Sequence, residues 1–193
     1  MKKACIFLLV LTSAFLLIGC SDKFEPTEST IYITSKGQVQ SALMEDFEEA
    51  YYDFEELTEA VEKEVKTYNL DVNAEAVTIR SLTEGNDEVT LLMDYESVED
   101  YTAFNDVILF HGSYAEASAA GYVPVELYDT EGMLVDFDAV NSDRLKVVVT
   151  EESVCIQTGG KIKYVSDNVT VIDKKLARAM EAGKSYPAFI VYK

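Results

Sequence analysis

The first part of the chain alternates between two spacings of apolar residues. Residues 30–34 place isoleucines at every second position, and residues 38–44 continue as a partner strand after the turn sequence Ser35-Lys36-Gly37. Spacing by two predicts strands with one buried face, whereas spacing by three and four predicts a helix. The sequence changes to the second spacing after residue 53, which predicts a strand-strand-helix unit.

The helix of this unit has a start signal and a continuous apolar stripe. It begins at Asp53, which Glu56 follows at the spacing of a capping box with aspartate in the first place. Its stripe consists of Phe54, Leu57, Val61, Val65 and Tyr68. We expect this face to be buried and the helix to end at Asn69.

A second unit of the same design follows. Residues 76–80 and 89–95 alternate on either side of the turn sequence at 84–87. Two hairpins, each followed by a helix, predict a four-stranded antiparallel sheet with helices on one face.

Two helices are predicted after these strands. The first begins at Ser97 and is expected to reach residues 110–111, because Gly112 stands where a glycine commonly follows a helix end. The second begins at Ser113, which has a glutamate at capping-box spacing, and stops at Gly121.

The remainder of the chain is predicted to form mostly strands. They are predicted at residues 123–128, 133–137, 145–150, 153–157, 161–165, 169–172 and 187–192. Thr158-Gly159-Gly160 predicts a hairpin between two of them, and Asp173 predicts a helix through about Ala182. The predicted fold class is α+β: an antiparallel sheet from two strand-strand-helix units in residues 30–121, then a mostly β subdomain in residues 122–193 that forms a small open barrel or curled sheet.

The N-terminal segment has the pattern of an export signal. Lys2 and Lys3 precede an apolar core at residues 4–18, which is too short to span a membrane unaided. The core ends in Leu17-Ile18-Gly19-Cys20, which resembles the lipobox of bacterial lipoproteins. An ordinary secretory signal, or a signal anchor with an incidental cysteine, is the alternative.

The resemblance implies an address and a modification. Cleavage would fall between Gly19 and Cys20, so that residues 1–19 are a signal peptide. Cys20 would carry a diacylglyceryl group, with palmitate among the acyl chains, and residues 20–29 would be a short tether. Two or three acyl chains suffice for stable anchoring, which implies the extracytoplasmic face of the cell membrane.

Composition removes several classes of function. The 193 residues contain 35 Asp and Glu against 16 Lys and Arg, and the net charge of −19 argues against nucleic acid as a partner. One His and three Cys, without a C-x-x-C pair, do not supply a multi-histidine metal site, a zinc finger or a dithiol centre.

Two acidic clusters carry alternative interpretations. The segment at residues 45–64 holds ten carboxylates, which suit a cation site or a docking face for a basic partner, but equally a solvated helix face. The second cluster consists of Asp136, Asp138, Asn141 and Asp143. Its spacing departs from a calcium loop because Val140 occupies a ligand position, and turn capping is the favoured interpretation.

Other candidate groups have structural explanations. His111 lacks a nucleophile motif and suits a helix end. Cys155 lies between apolar neighbours and predicts a core thiol. Four tyrosines near turns or helix starts would suit either a binding surface or the edge of the core: Tyr51, Tyr52, Tyr114 and Tyr128.

The sequence therefore predicts a lipid-anchored protein without catalytic, cofactor or metal residues. We expect a non-catalytic interaction or accessory module at the cell envelope, with an envelope protein as partner. The alternatives are a small-ligand or cation-binding lipoprotein, and an envelope hydrolase that uses a pair of carboxylates.

Overall fold

A computed structural model describes residues 24–49, 52–140, 142, 144–179 and 186–193. The elements follow one another as β1 (Thr30–Ile33), β2 (Val39–Asp46), α1 (Phe54–Asp71), β3 (Val77–Gly85), β4 (Glu88–Tyr95), α2 (Val98–Asn105), β5 (Leu109–Gly112), α3 (Tyr114–Ala119), β6 (Leu127–Asp129), β7 (Leu134–Val135), a 3-10 turn (Phe137–Ala139), β8 (Lys146–Thr150), β9 (Cys155–Thr158), β10 (Ile162–Val165), β11 (Val169–Asp173), β12 (Leu176–Ala179) and β13 (Ala188–Tyr192).

These strands form two sheets, and the fold is α+β with a largely β C-terminal part, as predicted. The first sheet has seven strands in the order β11-β12-β9-β1-β2-β4-β3. It contains the four predicted strands as an antiparallel set in the order β1-β2-β4-β3, and β1 pairs in parallel with β9 on its other side. The second sheet has six antiparallel strands in the order β5-β8-β13-β10-β6-β7.

Both sheets draw strands from both sides of residue 121. Strands β9, β11 and β12 extend the sheet begun by the first hairpins, while β5 pairs with β8 in the second sheet. The C-terminal strands are thus divided between two sheets instead of forming one curled sheet of their own.

Strand β13 is the centre of the core because both of its faces are buried. Ala188, Ile190 and Tyr192 contribute to the larger apolar cluster, which side chains of both sheets share. Phe189 and Val191 point the other way into a second cluster with α3 and β8. This accounts for the continuous apolar run at the end of the sequence, since a strand covered on both faces does not alternate.

The local start signals are confirmed. The Asp53 carboxylate accepts hydrogen bonds from the amides of Glu55 and Glu56 at 2.9 and 3.0 Å. Both arms of the capping box between Ser113 and Glu116 are formed. Caps of this type contribute about 1 kcal/mol each, and they fix where α1 and α3 begin.

The predicted helix through residues 110–111 is wrong, because α2 ends at Asn105. Asp106 adopts a left-handed conformation with φ 53°, and the chain then turns to pair with β8. Gly112 is a strand residue, not a helix terminator. A Cβ at Gly112 would lie 2.8 Å from the Phe110 ring, so close packing explains this glycine.

The helix predicted from Asp173 is also wrong as far as Ala179. The chain reverses at Lys174 and Lys175, and β12 returns antiparallel to β11. Buried Ala177 and Ala179 alternate with exposed Arg178, which is the period of a strand. Hydrogen bonding to the neighbouring strands on both sides therefore outweighs the local helix signal. The rest of that predicted helix, residues 180–182, lies outside the described residues. Within the described part of the chain, none of the helices has both the length and the apolar character needed to cross a bilayer.

Candidate functional site

The apolar stripe of α1 is only partly used for packing. Val65 is buried and Tyr68 packs against the larger core cluster, but Leu57 and Val61 are only half-buried. The helix packs against β3 at the edge of the first sheet. The N-terminal half of its stripe therefore borders an open space instead of completing the core.

The opposite wall of this space is a row of leucines on the first sheet. Leu43 of β2 pairs with Leu91 of β4, which pairs with Leu82 of β3, so the three side chains share one face. The register of β1 with β2 places Ile31 and Ile33 on the same face. There they belong to the larger core cluster together with side chains of the second sheet. One face of the first sheet is thus covered by the second sheet at one end and by α1 at the other, where the covering is incomplete.

The resulting α1 cleft has a volume of about 520 Å³. Its lining residues are Leu43, Glu45, Asp46, Phe47, Tyr52, Leu57, Val61, Glu64, Leu82, Val89, Leu91, Met93, Phe104 and Asn105. Protein interiors leave few voids larger than a water molecule. A mostly apolar cleft of 300–1,000 Å³ is instead the usual form of a ligand site.

Aromatic side chains stand at both ends of the cleft. Phe47 stacks on Tyr52 with ring centroids 4.9 Å apart and meets Phe54 edge-on near the start of α1. Phe104 of α2 meets Tyr68 edge-on at the other end. Leu43 and Tyr52 remain 46% and 44% exposed. Apolar groups are therefore available to an incoming partner.

Among the residues that the structure describes, the charged side chains that line the cleft are all acidic. Glu45 and Asp46 come from the end of β2 and Glu64 comes from α1, and these three form the carboxylate rim. An outer groove of about 650 Å³ follows the other side of α1 and shares Glu64 and Phe104 with the cleft. Its lining adds Glu56, Glu59 and Asp71, with Lys63 as its cation.

A chain of hydrogen bonds and ring contacts leads from exposed Asn105 of the cleft lining through buried Tyr95 and Tyr101 to Glu152. Asn105 donates hydrogen bonds to the Tyr95 hydroxyl at 3.4 Å and to the Tyr101 carbonyl at 2.9 Å. The Tyr95 and Tyr101 rings meet edge-on with centroids 4.9 Å apart. The Tyr101 hydroxyl donates to both carboxylate oxygens of Glu152 at 3.2 Å. Burial raises the pKa of Glu152 above 4.5, although the bond from Tyr101 opposes the shift.

Glu152→Gln is expected to stabilise the protein increasingly as pH rises. A carboxyl whose pKa is raised on folding favours the fold fully only below its unfolded pKa, and it loses that contribution as pH rises through the folded value. The amide keeps an acceptor for Tyr101 and does not ionise. Denaturant unfolding between about pH 4 and pH 8 would measure the difference in free energy of unfolding. Glu151→Gln, at the exposed neighbour, is the control, and equal pH profiles for the two variants would contradict the expectation.

His111 is part of the packing between strands. Its Nε2 lies 2.7 Å from the Tyr192 hydroxyl, and the two rings stack with centroids 6.0 Å apart. Burial lowers the pKa of His111, and nearby Lys146 acts in the same direction. The prediction of a helix-end histidine is wrong, because His111 lies in β5.

Cys155 is a buried core thiol, as predicted. It lies at the start of β9, and burial raises its pKa to about 11. The ion pair between Arg178 and Glu28 lies close enough to influence it. A thiol with a raised pKa is a poor nucleophile.

The remaining predicted residues are placed as follows. Asp136 caps the 3-10 turn by accepting from the amide of Asp138, which agrees with turn capping. Asn141 and Asp143 lie outside the described residues, as do Tyr51, Gly19 and Cys20. Among the residues that the structure describes, no group of three or more His, Cys, Asp or Glu side chains is arranged to hold a metal ion.

The structure separates the tyrosines and acidic residues that the sequence grouped together. Tyr52 lines the cleft, Tyr114 stacks on Phe137, and Tyr128 donates a hydrogen bond to Glu126. In the acidic segment 45–64, three carboxylates form the rim of the cleft and Asp53 caps α1. The sequence did not predict the cleft, since its apolar lining has the same spacing as core residues.

Comparison with known proteins adds no assignment: no family model, no curated protein and no solved structure matches this chain.

Proposed function

We propose that this chain is a lipid-anchored extracytoplasmic lipoprotein that serves as a non-catalytic binding module at the cell envelope. The anchor is inferred from the lipobox resemblance at Leu17-Ile18-Gly19-Cys20. The binding role is inferred from one observation, the α1 cleft, whose size and apolar lining suit a ligand site.

The lining of the cleft supports binding as its main role. Its walls are aliphatic and aromatic side chains, and the free energy falls when a partner removes them from water. The decrease is about 25 cal/mol for each square ångström of apolar surface covered. The rim supplies charge that orients a partner and selects its sign.

The anchor and the binding role are tested together in living cells. A photo-reactive benzoylphenylalanine replaces Tyr52 in the full-length chain, expressed at native level in its own host. We expect light to link this position to a single dominant partner, and Val61→Trp, which fills the cleft, to abolish that link. Cys20→Ser is expected to remove metabolic palmitate labelling and to release the protein from the membrane fraction.

The control places the same photo-reactive residue at Phe137, which is exposed and lies outside the cleft lining. Capture at position 52 that does not exceed capture at position 137 would contradict the binding role. Palmitate labelling that survives Cys20→Ser would contradict the anchor.

A further inference from the structure

We propose that the occupant of the α1 cleft is a basic segment of another polypeptide, with apolar side chains inside the cleft and Lys or Arg side chains on its rim. This inference rests on the proposed binding function and specifies its partner.

Charge complementarity sets the sign of the partner. The lining includes three carboxylates, Glu45, Asp46 and Glu64, and no Lys, Arg or His occurs among its described members. Two of these carboxylates are on the sheet and one is on the helix, so they approach the opening from both walls. A ligand that buries its apolar part here brings any charged neighbour close to this rim, where a cation is attracted and an anion is repelled.

The shape of the acidic surface favours a segment of polypeptide over a compact molecule. The outer groove continues from the shared residues Glu64 and Phe104 along the exposed side of α1. An 18-residue helix such as α1 is about 27 Å long. The apolar cleft and the outer groove lie side by side along this length, and four carboxylates against the single Lys63 line the described part of the groove. This arrangement suits a chain that places apolar anchors in the cleft and spaced basic side chains across α1.

Apolar anchors supply most of the affinity in this arrangement. Leu43 and Tyr52 stand half-exposed at the opening, and the row of Leu43, Leu91 and Leu82 forms the wall behind it. Side chains that fill such a space act as hot spots, whereas exposed ion pairs contribute less and set specificity. Filling the cleft should therefore weaken binding more than neutralising its rim.

The test uses the full-length chain reconstituted in phosphatidylcholine nanodiscs, with empty nanodiscs as the blank. The probe is a dye-labelled peptide of about 12 residues in which Lys and Leu are equally frequent. Two comparison peptides replace all Lys by Glu, or all Leu by Ser. Fluorescence anisotropy at low and high salt gives the affinities.

We expect the Lys/Leu peptide to bind and both comparison peptides to bind at least tenfold more weakly. Val61→Trp should weaken binding about tenfold by occupying the space of the anchors. Leu43→Trp fills the opening from a solvent-exposed position and serves if Val61→Trp does not fold. The double variant Glu45→Gln/Glu64→Gln should weaken binding about fivefold and reduce its salt dependence.

The matched control is Glu131→Gln/Glu151→Gln, which removes two exposed carboxylates outside the cleft lining. It should leave the affinity within about twofold of that of the unmodified chain. If the Glu/Leu peptide bound as tightly as the Lys/Leu peptide and filling the cleft still abolished binding, the proposal of a basic partner would be overturned. The proposed binding function would remain. Binding of the Lys/Leu peptide that survives cleft filling would overturn the site. Absence of binding by every peptide, together with no capture at position 52, would overturn both proposals.

Discussion

Phe189→Ala is expected to destabilise the protein by about 3–5 kcal/mol, the usual cost of removing a buried phenylalanine ring. Phe189 is 1% exposed and lies in the smaller core cluster between the second sheet and α3. Its backbone is held from two sides, since it pairs with Val149 and bonds to Ser166. The surroundings therefore have little freedom to close the cavity. Chemical denaturation followed by circular dichroism would measure the loss in free energy of unfolding.

Phe137→Ala provides the matched control, because the same atoms are removed from a ring that is 36% exposed and stacks on Tyr114. Its cost should be less than half of that for Phe189→Ala. If the two variants were equally stable, the second cluster would not be the packed core that the fold implies.

The sequence predicted the elements whose signals are local. Asp53 and Ser113 begin helices in the structure because a cap is formed by residues within one turn of each other. The hairpin between β3 and β4 follows for a similar reason, since its turn and its alternating strands are adjacent in sequence. The all-buried run of β13 was also predicted as a strand.

The errors arose where partners distant in sequence decide the structure. The helix from Ser97 stops early because residues 109–112 pair with β8, which begins at Lys146. The segment after Asp173 is a strand because β9 and β11 lie on either side of it. Both segments have helix start signals, and sheet pairing outweighs them.

The candidate site could be predicted only in part. The sequence identified residues 45–64 as an acidic surface and Tyr52 as a candidate contact residue. It also identified the stripe with Leu57 and Val61, but as core. Spacing shows which face of a helix is apolar and does not show how closely that face approaches the sheet. The cleft depends on this distance, which is set by the packing of α1 at β3.

The glycines of Thr158-Gly159-Gly160 mark a change of chain direction, but the hairpin that they predict is not formed. Strand β9 belongs to the first sheet and β10 to the second. The two glycines mark the crossing between the sheets. Neither has a left-handed φ, so the reason for glycine is close approach, not backbone conformation.

Gly159→Ala is therefore expected to destabilise the protein by about 1–3 kcal/mol, the range found for overpacking. A Cβ at Gly159 would lie 2.6 Å from the Ser35 amide nitrogen and 3.0 Å from the Ser35 Cα. These are backbone atoms of the turn between β1 and β2, which hydrogen bonds among Thr34, Gly37 and Gln38 hold in place. The turn cannot move aside as a flexible side chain would, and β1 is buried on both faces. Thermal and chemical unfolding would measure the loss.

Gly85→Ala is the control for this substitution. Gly85 is the last residue of β3, whereas Gly159 directly follows the last residue of β9, and both lack a left-handed φ. A Cβ at Gly85 would meet nothing within 4 Å. We expect this variant to be as stable as the unmodified chain or slightly more stable, because alanine reduces the conformational entropy of the unfolded state. Equal stability of the two alanine variants would mean that the crossing at Gly159 is looser than the contact with Ser35 requires. A clear difference would support close packing against the turn between β1 and β2 as the reason why residue 159 is a glycine.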